Sequence, residues 1–273
     1  MNAAPARIAN ARMYAVAPGA AAAWRRFFGW LTDASGISLE IIDHAYPAPL
    51  PALWARPDLA CGFMCGLPFA RSAGAVTPIA APIPASGPTA GRAAYATHFV
   101  VAAGAPYRMI EDTFGRRIGT TVETSHSGYN AVRHHLLPYR RQRGGAALYT
   151  ETVGGLHTPR RVIEAVIAGM IDVGPLDSFA YELIRLHEPG LASAIRILAT
   201  TQAAPIPLLV AHAACPDAVV LALREALLSG GGGVERHADA LALQGFAPID
   251  PQSYRCLAER EDEAVAAGYG MIV

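Results

Sequence analysis

The sequence contains no lysine, and all 22 of its basic residues are arginine. A phosphate-binding loop of the Walker type needs a lysine, and Schiff-base chemistry needs a side-chain amine, so both kinds of site are excluded. Acidic residues also number 22, which gives a formal net charge of zero. Non-specific nucleic-acid binding requires a basic face, so we expect no nucleic-acid partner.

Cysteine is scarce and is not arranged for metal binding. The four cysteines form no CxxC pair, and no cysteine–histidine group has the spacing of zinc ligands. Cys61 and Cys65 lie in the apolar run 59–67 and are interpreted as buried thiols. His134 and His135 are adjacent and point to different sides of a helix, so they make a poor metal pair. We expect neither a metal nor a cofactor.

Long apolar runs are also missing. No stretch approaches the roughly 20 apolar residues that a membrane-spanning helix needs, so we expect no membrane insertion. Arg7 and Arg12 interrupt the alanine-rich start, and no secretory leader is visible. A cytoplasmic location would follow if this start is authentic.

The residues that are present indicate a globular α/β protein. Hydrophobic residues make up 52% of the chain and charged residues 16%, and 273 residues suffice for two lobes with separate cores. Short apolar runs alternate with helical patterns, which predicts mostly parallel sheets flanked by helices. The predicted strands are 8–16, 38–42, 58–64, 76–83, 92–102, 115–121, 146–151, 171–173, 194–201 and 206–212. The predicted helices are 18–31, 109–114, 127–137, 159–168, 177–187, 216–229, 235–243 and 251–267, with Gly230 to Gly233 as a helix stop.

The number of elements predicts two lobes. The first lobe would comprise residues 1–101 and 204–273, and the second, inserted lobe residues 102–203. Two nearby crossings of the chain would form a hinge, and the groove between the lobes would be the binding place.

The strongest local signal for a site is the hydroxyl-rich segment 120–129. A strand ends there, and a helix begins at Ser125-His126-Ser127-Gly128-Tyr129. Helix N-termini carry unpaired N–H groups and partial positive charge, serine hydroxyls add donors, and glycine permits close approach. The segment therefore predicts an anion cradle. The alternative is ordinary capping by Ser125 or Ser127.

Two further segments have a similar form. His157 precedes Thr158-Pro159, a typical helix start, and it either donates to an oxyanion or is a solvated loop residue. Asp177-Ser178 stands where a strand turns into a helix, and Asp177 either caps the helix or pairs with a ligand proton or amine. Tyr14, Tyr95 and Thr97 are candidates for lining a cleft, with core packing as the alternative for the tyrosines.

These segments together resemble the phosphate, phosphite and phosphonate substrate-binding proteins of ABC transporters, which have the type II periplasmic-binding fold. The resemblance runs from about residue 8 to about residue 230. The matching stretches are 58–69, 95–101, 109–119, 125–129, His157 with its helix, and 168–178.

The resemblance implies a set of ligand-binding residues. Ser125, Ser127, Gly128 and His157 would hold the oxyanion, and Asp177 would select a protonated or amine-bearing ligand. Tyr14 and Tyr95 would close the site from the first lobe. The ligand-binding set also includes Gly66, Thr97, His126, Tyr129 and Ser178.

The resemblance also implies a function. The chain would be a monomeric, non-catalytic solute-binding protein that captures a small anion in the cleft for an ABC permease, in the periplasm. Two alternatives remain open. One is a cytoplasmic ligand sensor, and the other is an enzyme acting on a small heterocyclic or aromatic acid with His157, His126 and Cys65 as its reactive groups.

Overall fold

The computed structural model describes residues 7–229 and 233–273, so most of the predicted glycine stop at 230–233 lies outside the described residues. Thirteen strands are described. They are β1 Arg7–Asn10, β2 Leu39–Ile41, β3 Leu59–Met64, β4 Val76–Pro84, β5 Ala94–Tyr95, β6 Thr97–Ala102, β7 Arg117–Gly119, β8 Glu151–Val153, β9 Gly174–Asp177, β10 Ile195–Thr200, β11 Ala204–Pro205, β12 Leu208–His212 and β13 Leu243–Ala247.

Ten α-helices accompany these strands in the described ranges. They are α1 Pro18–Ser35, α2 Leu50–Trp54, α3 Gly66–Arg71, α4 Ala131–Gln142, α5 Pro159–Ile167, α6 Ser178–His187, α7 Pro189–Ser193, α8 Asp217–Leu228, α9 Glu235–Leu241 and α10 Arg255–Ala266. Short 3₁₀ turns occur at Ile110–Thr113 and Pro251–Tyr254, and a π-helical turn at His126–Asn130 leads directly into α4.

The chain divides into two compact units, each made of two chain segments. The first unit comprises Met1–Ala94 and Pro205–Gln252, and the second comprises Tyr95–Ala204 and Ser253–Val273. The predicted division differs from this one at two places. It assigns the strand that begins at Thr97 to the first lobe, and it also assigns the C-terminal segment 253–273 there.

The first unit is built on a six-stranded sheet of order β13-β4-β12-β3-β1-β2. Strand β1 pairs in parallel with β2 and with β3, whereas β12 pairs antiparallel with β3 and β4, and β13 antiparallel with β4. The α/β class is confirmed, but the expectation of a mostly parallel sheet is wrong, because the strands that follow the chain's return run in the opposite direction.

Helix α1 supplies much of the core of the first unit. Proline at its first position and Gly36 in a left-handed conformation (φ 69°) after its last residue set its ends. Trp24, Phe27, Phe28 and Leu31 recur at helical spacing and are fully buried. The Trp24 ring meets Phe63 of β3 edge-on, with centroids 5.0 Å apart, so this apolar face holds the helix against the sheet.

The second unit has an antiparallel sheet of order β10-β6-β9 and a parallel pair of β7 with β8. A single bridge joins Ile118 to Val173, so the predicted strand 171–173 is wrong and the strand lies instead at Gly174–Asp177. The apolar core is formed by Phe99, Val101, Ile110, Ile118, Tyr129, Val132, Leu136, Leu137, Leu148, Tyr149, Val173, Tyr269 and Ile272.

The C-terminal segment belongs to the second unit because its main chain is bonded there. Arg133 of α4 donates to the carbonyl of Gly270 over 2.7 Å, and the N–H of Leu148 donates to the carbonyl of Val273 over 2.9 Å. Glu263 of α10 pairs with His134 and Arg141 of α4. These long-range bonds leave no local signature in the sequence.

Other predicted boundaries shift for local reasons. Strand β1 ends at Asn10 rather than at residue 16, because the Ala11 carbonyl accepts from the N–H groups of Tyr14 and Ala15 and turns the chain. The predicted strand 146–151 is replaced by Glu151–Val153, and strand Leu243–Ala247 was not predicted.

No helix in the described ranges combines the length and apolar character that crossing a membrane requires.

Candidate functional site

The segment Ser125–Tyr129 lies at the N-terminus of a continuous helix in the second unit. The Ser125 hydroxyl accepts from the Gly128 N–H over 3.0 Å, and the Ser125 carbonyl accepts from the Asn130 N–H over 3.0 Å. Ser125 is therefore the N-cap, as the capping interpretation predicted. Its hydroxyl proton is not used in that bond, so Ser125 can still donate to an anion.

Capping leaves other donors of the first turn unused. The N–H groups of Ser127 and Tyr129, and the hydroxyl of Ser127, form no hydrogen bond with any residue that the structure describes. Amides of the first helical turn point outward along the axis at its positive end. This arrangement can accept negative oxygen atoms without a formal positive charge.

Two bonds from other segments of the second unit hold this turn in place. The hydroxyl of Thr97, at the start of β6, donates to the Ser127 carbonyl over 3.0 Å. The N–H of Thr121 donates to the Gly128 carbonyl over 3.2 Å. The Gly128 carbonyl shares its peptide plane with the Tyr129 N–H, so the Thr121 bond fixes that donor. The N–H of Ser127 shares its plane with the His126 carbonyl, which accepts from the N–H of Ala131. Thr97 is 1% exposed, which makes it an anchor of the turn.

Gly128 is required by a close approach to Thr121. A β-carbon at position 128 would lie 1.7 Å from the Thr121 Oγ1 and 2.8 Å from its Cβ. From its place in the sequence, Gly128 was predicted to let an anion approach the backbone closely. The structure adds that the space beside its Cα is already occupied by a threonine side chain.

His126 is a buried histidine that anchors the helix. It is 1% exposed, and Asn130 donates to its Nδ1 over 3.2 Å while also donating to the Leu257 carbonyl over 2.9 Å. Burial lowers the pKa of His126 to about 3, and the charges of Arg260 and His134 act in the same direction. The ring is therefore neutral near pH 7, which makes it a weak proton acceptor there.

The Tyr129 side chain is directed to the C-terminal segment. Its hydroxyl donates to the Gly270 carbonyl over 3.4 Å, and the Arg133 guanidinium lies over its ring at 5.4 Å. Only the backbone N–H of Tyr129 is therefore available for the predicted ligand role. Sequence reasoning did not separate the backbone of this residue from its side chain.

The second predicted segment, Gly154 to Thr158, is joined to the first through the backbone of two threonines. The Gly155 N–H donates to the Thr121 carbonyl over 3.0 Å, and the Leu156 N–H donates to the Thr120 carbonyl over 3.2 Å. Thr121 therefore bonds to both segments, since its N–H donates to the Gly128 carbonyl and its carbonyl accepts from Gly155. The sequence placed them about 30 residues apart with no indication of this link.

His157 has an unusual backbone conformation in this segment. Its φ is +58°, in the left-handed region that a non-glycine residue seldom adopts, and its side chain is exposed. Thr158 follows as the predicted N-cap of α5, accepting from the Arg161 N–H over 3.3 Å, and Pro159 is the first helical residue. Strained backbone of this kind is concentrated at functional sites.

Asp177 and Ser178 perform structural tasks at the end of β9. The Asp177 Oδ1 accepts from the N–H groups of Phe179 and Ala180, at 2.8 and 3.0 Å, and so caps α6. The Ser178 hydroxyl accepts from the Ala96 N–H over 3.0 Å. The capping interpretation of Asp177 accounts for these contacts, and its selection of a ligand proton or amine stays a prediction.

Three other predicted residues are placed as follows. Tyr95 is 1% exposed, and its ring centroid lies 6.1 Å from that of His126. It is the first residue of the chain segment that forms the second unit, so its predicted place in the first lobe is wrong. Tyr14 and Gly66, in the first unit, follow the neighbouring parallel strands β1 and β3. Tyr14 is 1% exposed and packs edge-on against Phe63 at 4.9 Å.

Sequence reasoning missed Thr121 and Asn130. Thr121 connects both candidate segments, and its only signal was membership of a hydroxyl-rich turn. Asn130 carries no signal, because its partners His126 and Leu257 are recognised only through the packing of α10. In the described part of the chain, no group of three or more histidine, cysteine, aspartate or glutamate residues could hold a metal ion.

Comparison with protein families gives one match over most of the chain. The family model of phosphonate ABC transporter periplasmic substrate-binding proteins matches residues 19–254. No curated protein matches the chain in sequence.

Solved structures resemble the chain in fold. One is a binding protein component of a phosphonate ABC transporter from Pseudomonas aeruginosa, with 13% identity and a TM-score of 0.78, covering 96% of this chain and 88% of that one. Another is PhnD1 from Prochlorococcus marinus in complex with methylphosphonate, with 14% identity, a TM-score of 0.77 and coverage of 94% and 97%. A third is the alkanesulfonate-binding protein from Xanthomonas axonopodis pv. citri bound to MOPS, with 17% identity, a TM-score of 0.59 and coverage of 97% and 94%. These likenesses confirm the periplasmic-binding-protein fold.

Proposed function

The chain belongs to the family of periplasmic substrate-binding proteins of phosphonate ABC transporters, and we propose that its second unit binds a small tetrahedral oxyanion at the helix that begins after Ser125. The observation that carries the proposal is the pair of N–H groups at Ser127 and Tyr129, with the Ser127 hydroxyl, left without partners in the described chain. Their carbonyl neighbours are tied down by Thr97 and Thr121.

Fixed neutral donors suit such a ligand. A hydrogen bond to a charged group contributes about 1.5–3 kcal/mol, and donors that are held before binding lose little freedom when the anion arrives. The Ser125 hydroxyl can add a further donor, and the exposed His157 beside Gly155 supplies another candidate from the second segment. The donors select for negative oxygen atoms, and they do not by themselves identify the atom at the centre of the anion.

We assign the ligand to the phosphonate, phosphite and phosphate class on the family's description. The Prochlorococcus marinus protein of similar fold binds methylphosphonate, and the Xanthomonas axonopodis protein binds the sulfonate MOPS. A sulfonate is therefore the most informative competitor, because it presents a similar tetrahedral shape with a different charge.

The proposed role is capture of the ligand for an ABC permease in the periplasm, without covalent chemistry. The family is described as the periplasmic substrate-binding component of a phosphonate ABC transporter. His126, one of the two histidines named for an enzyme, does not support that alternative, since it is buried, neutral and bonded to Asn130. Incubation of the protein with a bound phosphonate should return the ligand unchanged.

Calorimetric titration tests the proposal. Methylphosphonate, phosphite, phosphate and methanesulfonate are titrated into the full chain, and the melting temperature is recorded with each. We expect binding of at least one phosphorus oxyanion and a raised melting temperature, since a ligand at about 100 times its Kd stabilises the folded state by about 2.7 kcal/mol. If none of the three phosphorus oxyanions changes heat or melting temperature, the proposed function is wrong.

A pair of variants locates the site. Ser127→Ala removes a hydroxyl that has no partner in the described chain, so we expect the melting temperature without ligand to stay unchanged. We expect the Kd for the anion to rise about tenfold or more. Thr124→Ala is the matched control, because Thr124 lies in the same turn with its side chain exposed. Equal weakening by both variants, or by neither, contradicts the placement of the site.

A further inference from the structure

The hydroxyl of Thr121 is a buried polar group with no partner. Thr121 is 9% exposed, its Oγ1 is closed to solvent, and that atom forms no hydrogen bond with any described residue. A hydroxyl removed from water without a replacement partner destabilises the folded protein. Such groups are rare in folded proteins, and each one calls for a specific explanation.

The position of this hydroxyl relates it to the helix N-terminus. The Thr121 Oγ1 lies 1.7 Å from the place where a β-carbon of Gly128 would stand, so it is beside the first helical turn. The N–H and carbonyl of Thr121 are both engaged, with the Gly128 carbonyl and the Gly155 N–H. The backbone is thus fixed between the two candidate segments, and the side chain alone remains adjustable.

We propose that Thr121 is a further ligand-binding residue, whose hydroxyl donates a hydrogen bond to the oxyanion bound at the Ser125–Tyr129 turn. This inference rests on the proposed function and deepens it by adding a donor that the family resemblance did not supply. The hydroxyl reaches the anion by rotation about the Cα–Cβ bond from one staggered position to another. The ligand-free protein therefore contains an unpaired hydroxyl that the ligand satisfies.

Two substitutions separate a binding role from a packing role. Thr121→Val keeps the shape and removes the hydroxyl, and Thr121→Ser keeps the hydroxyl and removes the methyl group. We expect Thr121→Val to bind methylphosphonate about tenfold or more weakly, while its melting temperature without ligand stays equal or rises, because the unpaired hydroxyl is gone. Thr121→Ser should bind within about threefold of the unchanged protein.

The outcomes are distinct from those of the function test. If the unchanged protein binds a phosphorus oxyanion and Ser127→Ala weakens binding while Thr121→Val does not, Thr121 only packs, and this inference is overturned although the proposed function stands. A lower melting temperature of ligand-free Thr121→Val also overturns it, since the hydroxyl would then have a partner within the protein. Absence of binding by the unchanged protein overturns the proposed function, and this inference with it.

Discussion

The hydroxyl of Thr97 donates a 3.0 Å hydrogen bond to the main-chain carbonyl of Ser127. The bond links the start of strand β6 to the first turn of the helix that continues as α4, across 30 residues of sequence. Thr97 is almost fully buried, whereas Ser127 is half-buried, so the bond lies at the edge of the core. The relationship makes Thr97 a positioning residue for the donors of the candidate site.

We expect Thr97→Val to destabilise the protein by about 0.5–1.5 kcal/mol, because a half-buried carbonyl loses its hydrogen bond. Anion binding should weaken too, since the Ser127 peptide is no longer fixed. Thr97→Ser retains the hydroxyl and should restore both properties in large part. Urea unfolding and calorimetry measure the two effects, and a Thr97→Val protein that keeps full stability and affinity would show that the bond is unimportant.

A second prediction concerns the close approach of Gly128 to Thr121. Gly128→Ala places a β-carbon where the Thr121 side chain stands, and we expect a loss of about 1–3 kcal/mol of stability from overpacking. Adding Thr121→Ala removes Oγ1 and the methyl group but leaves the Thr121 Cβ 2.8 Å from the new carbon, so the double variant should recover part of that loss. Gly29→Ala, in helix α1 with no atom within 4 Å of the new carbon, should instead stabilise by about 0.5–1 kcal/mol.

Denaturant unfolding of the unchanged protein, Gly128→Ala, Thr121→Ala and the double variant measures the coupling between the two positions. If the effects of Gly128→Ala and Thr121→Ala simply add, the close contact does not exist in solution.

A third prediction follows from the left-handed backbone of His157. At a φ of +58°, alanine is strained and glycine is not, so His157→Gly should be more stable than His157→Ala by about 1 kcal/mol. Both variants should bind the anion more weakly if the imidazole donates to it. His157→Asn tolerates the same backbone and keeps a donor, and we expect it to retain part of the affinity. Equal stability of the glycine and alanine variants would contradict the strain.

A fourth prediction concerns pH. Burial lowers the pKa of His126 to about 3, whereas a histidine in the unfolded chain has a pKa of about 6.5. Between these values the unfolded chain binds one more proton at this position, so the free energy of unfolding falls as pH drops from about 6.5 towards 3. The slope from one such histidine is about 1.4 kcal/mol per pH unit.

His98 adds to the same slope, because burial lowers its pKa to about 4 despite the nearby carboxylate of Glu182. We expect His126→Gln to reduce the pH dependence of stability between about pH 4.5 and 6 by roughly one histidine's share. Urea unfolding at a series of pH values measures it. Parallel curves for the two proteins would mean that His126 titrates normally in the folded state.

Much of the local structure could be predicted from short patterns. Thr158 with Pro159 indicated the start of α5, Asp177 indicated the cap of α6, and the spacing of Trp24, Phe27 and Phe28 indicated the buried face of α1. These features depend on residues within about one helical turn of each other, so a linear pattern contains the whole interaction.

The errors concern interactions between distant residues. The direction of the strands beside β12, the assignment of 253–273 to the second unit and the strand at Gly174–Asp177 all depend on which segments pair. Tyr129 illustrates the difference within one residue. Its backbone position at a helix start was predictable. Its side-chain hydroxyl, however, donates to the carbonyl of Gly270, 141 residues later in the chain.

Residue types and their order were sufficient to predict an α/β protein, and the resemblance of several segments to substrate-binding proteins of ABC transporters identified the family. The helix start at the Ser125–Tyr129 turn was predictable as well, because caps and glycine positions follow from local geometry, and its role as an anion site stays a prediction. Folding alone determined that Thr97 and Thr121 hold that turn and that the Gly155–His157 loop pairs beside it. Hydrogen bonds and close contacts between segments far apart in the chain exist only after the backbone has been brought together. The residues that position the donors therefore became visible only in three dimensions.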